Sequence, residues 1–200
     1  MAAKKPSGQQ SRRFRKEITK VVSLKYQLYF PNSYSEKRKE KLPLMLFLHG
    51  AGERGNDVER VKKHGPPKLV QRRKTFPFVV VSPQCRENEW WEADGLFALV
   101  DDVCERYRID EDRIYLTGLS MGGAGTWMLG GAKLPTWVFH GAKDKTVPIE
   151  ESQRMVDMIE RFDGDIKFTV YPNAQHDSWT ETYNNPELYD WFLSHKRSER

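Results

Sequence analysis

The sequence predicts a mostly parallel α/β sheet with helices on both faces, and three observations carry that expectation. Short apolar runs recur without the alternation of a half-wetted strand, as in residues 42–48 (Leu-Pro-Leu-Met-Leu-Phe-Leu) and 76–81, the pattern of strands buried on both faces. Segments with apolar residues at helical spacing lie between the runs, so strands alternate with crossover helices. The polar, glycine-bearing clusters begin where the apolar runs stop, and such a sheet places its chemistry at the carboxyl ends of its strands.

Taken in order, residues 18–22 and 25–30 read as edge strands, closed by the turn signal Pro31-Asn32-Ser33. After a charged loop, residues 42–48 form the first buried strand and end in His49-Gly50-Ala51-Gly52. Residues 53–74 are polar and contain Gly65-Pro66-Pro67, which predicts a surface loop with short helical pieces. Residues 76–81 are the second buried strand, ended by Ser82-Pro83. Leu96, Leu99, Val100, Val103 and Tyr107 share one face of a helix over 94–107. The third buried strand, 113–117, runs into Gly118-Leu-Ser-Met-Gly-Gly123, and a short helix follows to about Leu129. Residues 136–139 are the fourth buried strand. Pro148 opens a helix with Met155, Met158, Ile159 and Phe162 on one face, stopped near Gly164. Residues 166–171 are the last strand, and Asn185-Pro186 caps a final helix carrying Leu188, Trp191 and Phe192.

At 200 residues the chain suits one domain with a substantial core. Its formal charge of +5 is unevenly spread: residues 1–16 hold six basic residues and no acid, leaving −1 on the rest. The expectation is a basic flexible tail, 1–16, on a single domain, 17–200. A nearly neutral body has no electrostatic footprint for a phosphate backbone, so nucleic acid is not an expected partner. No stretch approaches the ~18 apolar residues of a membrane span, and no apolar leader stands at the N-terminus. The chain therefore reads as cytoplasmic, or as secreted if a leader has been removed. Cys85 and Cys104 lack metal-ligand spacing and are expected to be free thiols. No metal or phosphate-cradling motif occurs, so no cofactor is expected.

The sharpest chemical signal is Gly118-Leu-Ser-Met-Gly122, a G-x-S-x-G elbow between a strand and a helix. Its glycines permit the tight turn that exposes Ser120 as a nucleophile, and the helix start adds partial positive charge where an oxyanion would form. A serine hydroxyl needs a base to take its proton, and the base needs an acid to orient it. His176, after the last strand, is the one histidine that fits the order serine, acid, histidine. Asp144, at the end of the strand before, is the leading acid. Asp163, Asp165 and Asp177 are its rivals, with Asp177 disfavoured because a chain neighbour points away from the imidazole. His49 and His140 are expected to be structural. The backbone N–H of Met121, and of Ala51 or Gly52, are the expected oxyanion donors, with Glu53, Arg54 and Asn56 bracing that loop. Trp90, Trp91 and Trp179 fall in loops at the same sheet edge and are candidates for a substrate pocket.

These motifs together resemble α/β-hydrolase carboxylesterases related to polyhydroxybutyrate depolymerases, phospholipase/carboxylesterases and the catalytic domain of prolyl oligopeptidases. The resemblance lies in H-G-A-G-E-R-G at 49–55, S-P-Q-C at 82–85, D-R-I-Y-L-T-G-L-S-M-G-G at 112–123, W-V-F-H-G-A-K-D at 137–144 and A-Q-H-D-S-W at 174–179. It implies Ser120, Asp144 and His176 as the catalytic set, Ala51 and Met121 as oxyanion donors, and hydrolysis of a small-molecule ester without a cofactor. Short acyl or aryl esters are expected, because the chain is too short for a large lid. A peptidase of the same fold and a catalytically impaired interaction protein are the alternatives.

One departure stands out. The interval from Ser120 to Asp144 is too short for the strand and helix, roughly 30 residues, that such relatives carry there. Either the strand at 136–139 slides next to the elbow strand and Asp144 still reaches His176, or part of the sheet stays uncovered. The second outcome would expose apolar surface and favour a homodimer.

Overall fold

A computed structural model describes residues 9, 11–37, 39–73, 75–130 and 134–197. Of the basic tail, residues 1–8 and 10 lie outside the described residues, and 11–16 are exposed and outside any helix or strand. The strand expected at 18–22 is absent: that stretch pairs with nothing, and Ile18 and Val21 are more than 80% exposed. Its apolar residues suit a strand, but no other strand pairs with it.

Strand β1 (Lys25–Tyr29) runs antiparallel to β3 (Val79–Gln84), which is parallel to β2 (Leu42–Leu48), itself parallel to β4 (Ile109–Gly118). The strand order is β1-β3-β2-β4. β3 starts three residues later than expected and continues through Ser82-Pro83, because β1 pairs with those residues after β2 has diverged. At Pro43, which lacks an N–H, the register between β2 and β4 breaks, and residues 110–113 loop outward.

The pleat sorts β2 into two cores. Leu44, Leu46 and Leu48 pack with Val79, Val81 and the Leu96, Leu99 and Val103 face of helix α2 (Ala93–Arg106). Met45 and Phe47 point the other way, toward Phe78, Val80 and the Tyr183, Leu188, Tyr189 and Phe192 cluster of two C-terminal helices, Trp179–Asn184 and Pro186–Ser194. The polar segment after β2 holds a 3₁₀ turn at Val58–Lys63 and helix α1 (Gly65–Leu69), as its composition predicts. Along the chain, α3 (Met121–Leu129) follows β4, α4 (Ile149–Arg161) follows β5 (Thr136–Gly141), and the two C-terminal helices, α5 and α6, follow β6 (Ile166–Tyr171).

The sheet is split. β5 and β6 pair in parallel with each other and form a second, two-stranded sheet. β5 has not slid beside β4, which is therefore an edge rather than the buried strand its sequence suggests, with Ile114 39% exposed. The alternating helices and strands on both sides agree with the expected α/β class, shortened after the Gly118–Gly122 turn. The segment that bridges the two sheets includes residues 131–133, which lie outside the described residues. Helix α4 shows the same loss of cover: of its expected apolar face Ile159 is buried, but Phe162, just past its end, is 74% exposed. No described helix is long and apolar enough to cross a membrane.

Candidate active site

Ser120 stands between β4 and α3 with φ 50° and ψ −118°, a left-handed backbone that a non-glycine residue adopts only when its surroundings impose it. The imposing contact is the close approach of Gly122 to the end of β2. A Cβ on Gly122 would lie 1.9 Å from the Leu48 carbonyl oxygen, which is backbone and cannot move aside. Gly122→Ala is expected to destabilise the fold by about 3 kcal/mol or more, read as a lower urea midpoint.

The turn aims Ser120 Oγ at His176 Nε2, 3.0 Å away, and His176 Nδ1 is 2.8 Å from Asp144 Oδ2. His176 lies in the loop after β6 and Asp144 in the loop after β5, so the two reach Ser120 across the split without β5 moving next to β4. Asp144 Oδ1 accepts the N–H groups of Thr146 and Val147. Burial pushes this carboxyl upward, but the hydrogen bonds from His176, Val147 and Thr146 outweigh it and hold its pKa below the ordinary carboxylate value. The rivals Asp163 and Asp165 are elsewhere, and Asp177 instead accepts from the Thr180 N–H and hydroxyl.

A second imidazole, not anticipated beside the acid, approaches the same oxygen. His140 Nε2 is 3.3 Å from Asp144 Oδ2 and 3.0 Å from the Val147 carbonyl, so Nε2 carries the proton, and Nδ1 accepts from the Ser152 hydroxyl at 2.8 Å. Its position at i−4 from Asp144 across the strand end was the available signal.

The loop after β2 supplies the other wall. Met121 opens α3, so its N–H is among those without an intrahelical acceptor. Ala51 lines the cavity in front of Ser120, whereas Gly52 does not; the Gly52 carbonyl accepts from Arg60 Nη2 at 2.6 Å. Arg54 donates to the Ala51 carbonyl, and Arg60 also to the Arg54 carbonyl. Gln84 Nε2 holds the carbonyls of Glu53 and Asp57. Arg60 and Gln84 brace the loop together with Arg54, and neither was singled out by sequence. The buried Glu53 carboxylate lies 3.8 Å from both Lys63 Nζ and His64 Nε2. The Asn56 carbonyl accepts from Lys25 rather than bracing the turn with its side chain.

His49 is structural: its Nδ1 donates to the Gly50 carbonyl and its Nε2 accepts the Cys85 N–H at 3.0 Å. Burial pulls its pKa down to about 4. Between pH 6.5 and 4 the unfolded chain binds a proton at this site that the folded chain refuses, so stability falls as pH falls, by about 3 kcal/mol over the full window. Denaturant titrations at pH 7 and pH 5 are expected to show about 2 kcal/mol of that loss. His64, lowered in the same direction by burial, adds to the slope.

Of the three tryptophans, Trp179 lines the cavity and sets its ring edge-on to His176 at 5.2 Å. Trp90 lines it from an exposed position. Trp91 does not line it: it is buried against the His49 ring and packs on Gly125. Its neighbour Trp90 is instead left exposed to solvent. Cys85 and Cys104 are free, and burial raises both thiols. No group of side chains suited to a metal occurs among the described residues.

Residues 130–197 match the model of the prolyl oligopeptidase family. No curated protein matches the chain. Among solved structures, a thermostable esterase is 30% identical with a TM-score of 0.70, the match covering 87% of this chain and 60% of that one. The chain thus spans 60% of that relative's length. The butyrate-bound esterase Est2 of the Planctomycetes species Thermogutta terrifontis is 15% identical, TM-score 0.65, over 86% of this chain and 89% of its own. Esterase PE8 is 15% identical, TM-score 0.59, over 86% and 97%. These last two bear on the fold alone.

Proposed function

We propose that this chain, an α/β-hydrolase by fold and shortened after its nucleophile elbow, is a serine carboxylesterase that works through an acyl-enzyme. The observation that carries the reading is the unbroken series Ser120 Oγ, His176 Nε2, His176 Nδ1, Asp144 Oδ2, with steps of 3.0 and 2.8 Å, both within the range for proton transfer. His176 takes the Ser120 proton as the oxygen attacks the ester carbonyl, and Asp144 keeps the imidazole proton on Nδ1 and stabilises the imidazolium. The N–H groups of Met121 and Ala51 receive the oxyanion. His176 then protonates the leaving alkoxide, and water repeats the sequence to release the acid, which gives ping-pong kinetics. The relay needs no cofactor.

The test is to treat the protein with a fluorophosphonate, map the modified residue by mass spectrometry, and measure turnover of 4-nitrophenyl acetate. Labelling confined to Ser120 together with turnover supports the reading; a folded protein that does neither overturns it. The match of residues 130–197 to the prolyl oligopeptidase family favours a second reading, a peptidase. Turnover of amide but not ester substrates would select it.

A further inference from the structure

The stretch at 18–22 that pairs with no strand belongs to a longer pattern. Residues 11–22 read Ser-Arg-Arg-Phe-Arg-Lys-Glu-Ile-Thr-Lys-Val-Val, and in an extended chain Ile18 and Val21 would fall on opposite faces. Wound as an α-helix at about 100° per residue, the same stretch gathers Phe14, Ile18, Val21 and Val22 into an arc of roughly 100°. Arg12, Arg13, Arg15, Lys16 and Lys20 then fill the opposite side. Glu17, the one acid of the stretch, comes within a turn of both Arg13 and Lys20, where each can pair with it. The spacing is helical and segregates apolar from basic residues, although residues 11–22 lie outside any helix or strand.

Length and packing explain why no helix forms there in water. Helices shorter than about 12–15 residues are marginal on their own, and the β-branched Ile18, Thr19, Val21 and Val22 lower the propensity further. The body does not supply the missing contact. Phe14, Ile18 and Val21 are all more than 80% exposed, and Val22 is exposed in part. Lys20 Nζ is 2.7 Å from Glu92 and 3.5 Å from Asp94, with both acids largely exposed. Such surface pairs steady the stretch but bury none of its apolar residues, and they are weak enough to exchange.

We infer that residues 11–22 are a docking surface for anionic lipid bilayers, on which they fold into a helix lying in the plane of the interface. The apolar arc enters the boundary between headgroups and acyl chains, and the basic arc stays among the lipid phosphates. Charge decides the partner: five basic residues stand against Glu17, so an anionic surface attracts the stretch and a neutral one does not. Arg15 borders the apolar arc, where its stem covers hydrocarbon while its guanidinium reaches a phosphate. A nucleic acid would answer the basic arc and leave the apolar one in water. An anionic bilayer answers both and needs no shaped pockets to do so. The inference stands apart from the esterase reading; it concerns where the protein sits, not what it cleaves.

The experiment is co-sedimentation of the full chain with sucrose-loaded vesicles, of phosphatidylcholine alone or with about a third phosphatidylglycerol, at about 0.1 M salt. Hydrogen-exchange mass spectrometry is run on the same samples. The expected result is binding to the mixed vesicles only, with amide exchange slowed over residues 11–22. Ile18→Ser, at an exposed position outside any helix or strand, is expected to weaken binding about tenfold through lost apolar burial. Arg15→Gln is expected to weaken it about fivefold, and Thr19→Ser, on the polar side, to leave it unchanged. Ser120 labelling by a fluorophosphonate stays at the parent level in all three variants, so surface binding and the esterase reading succeed or fail separately. No binding to the mixed vesicles overturns the inference. Binding with unchanged exchange over 11–22 overturns it as well. Binding that Ile18→Ser does not weaken, matched by equal retention of that variant on a single-stranded oligonucleotide, overturns it in favour of a polyanion site read by charge alone.

Discussion

Replacing His176 by alanine is expected to lower kcat by about 10⁶-fold, the order found when a serine hydrolase loses its general base, while the melting temperature stays near that of the parent. The imidazole is the only group within hydrogen-bond reach of Ser120 Oγ among the described contacts, and it lies at the partly exposed rim of the site. Its loss removes the proton acceptor and opens no cavity in either core. His140 cannot take over. Its Nε2 is committed to the Val147 carbonyl and its Nδ1 to the Ser152 hydroxyl. Ester turnover under saturating substrate, with thermal denaturation as the fold control, checks both halves of the expectation.

Asp144→Asn tests a different link. The amide would offer an N–H to His176 Nδ1 where the carboxylate now accepts one, which stabilises the tautomer with its proton on Nε2. An imidazole so held cannot accept from Ser120, and a loss of about 10⁴-fold in kcat is expected with little change in KM. The Thr146 and Val147 N–H groups still find the side-chain oxygen, Oδ1, that they contact now, so the loop is retained. A fall in kcat accompanied by a marked rise in KM would instead indicate a displaced loop.

The convergence of Ser120, Asp144 and His176 was legible in the sequence because each follows an apolar run, and in an α/β sheet the ends of such runs gather on one edge whatever the strand order. The structure brings the three side chains together as a set. Ala51 was separable from Gly52 only in three dimensions, since both are small residues on one tight turn and what divides them is Arg60, which takes the Gly52 carbonyl from eight residues away. Trp90 and Trp91 were indistinguishable for a similar reason: adjacent residues point oppositely, and the sequence does not say which faces the core. The strand at 18–22 failed because apolar composition reports propensity, whereas a strand exists only where a partner pairs with it. The short interval after Ser120 was plain, but its result was not. Whether two sheets close or stay apart depends on what packs between them, and α5 and α6, more than fifty residues later, hold them at their present spacing.

That spacing makes Ser120 and His176 passengers on different pieces of the molecule. Ser120 and the Ala51 loop belong to the four-stranded sheet; Asp144 and His176 ride together on the β5–β6 pair. The 3.0 Å step between Ser120 and His176 is therefore a joint, set by the wedge of Tyr115 on Phe192, Trp137 on Trp191 and Thr117 on Tyr183. Fraying of the C-terminal helices would part the joint while each sheet kept its own hydrogen bonds, a local opening of the kind that precedes global unfolding. Activity should consequently vanish with heat earlier than secondary structure does, and the C-terminal helices become the thermostat of the proposed reaction.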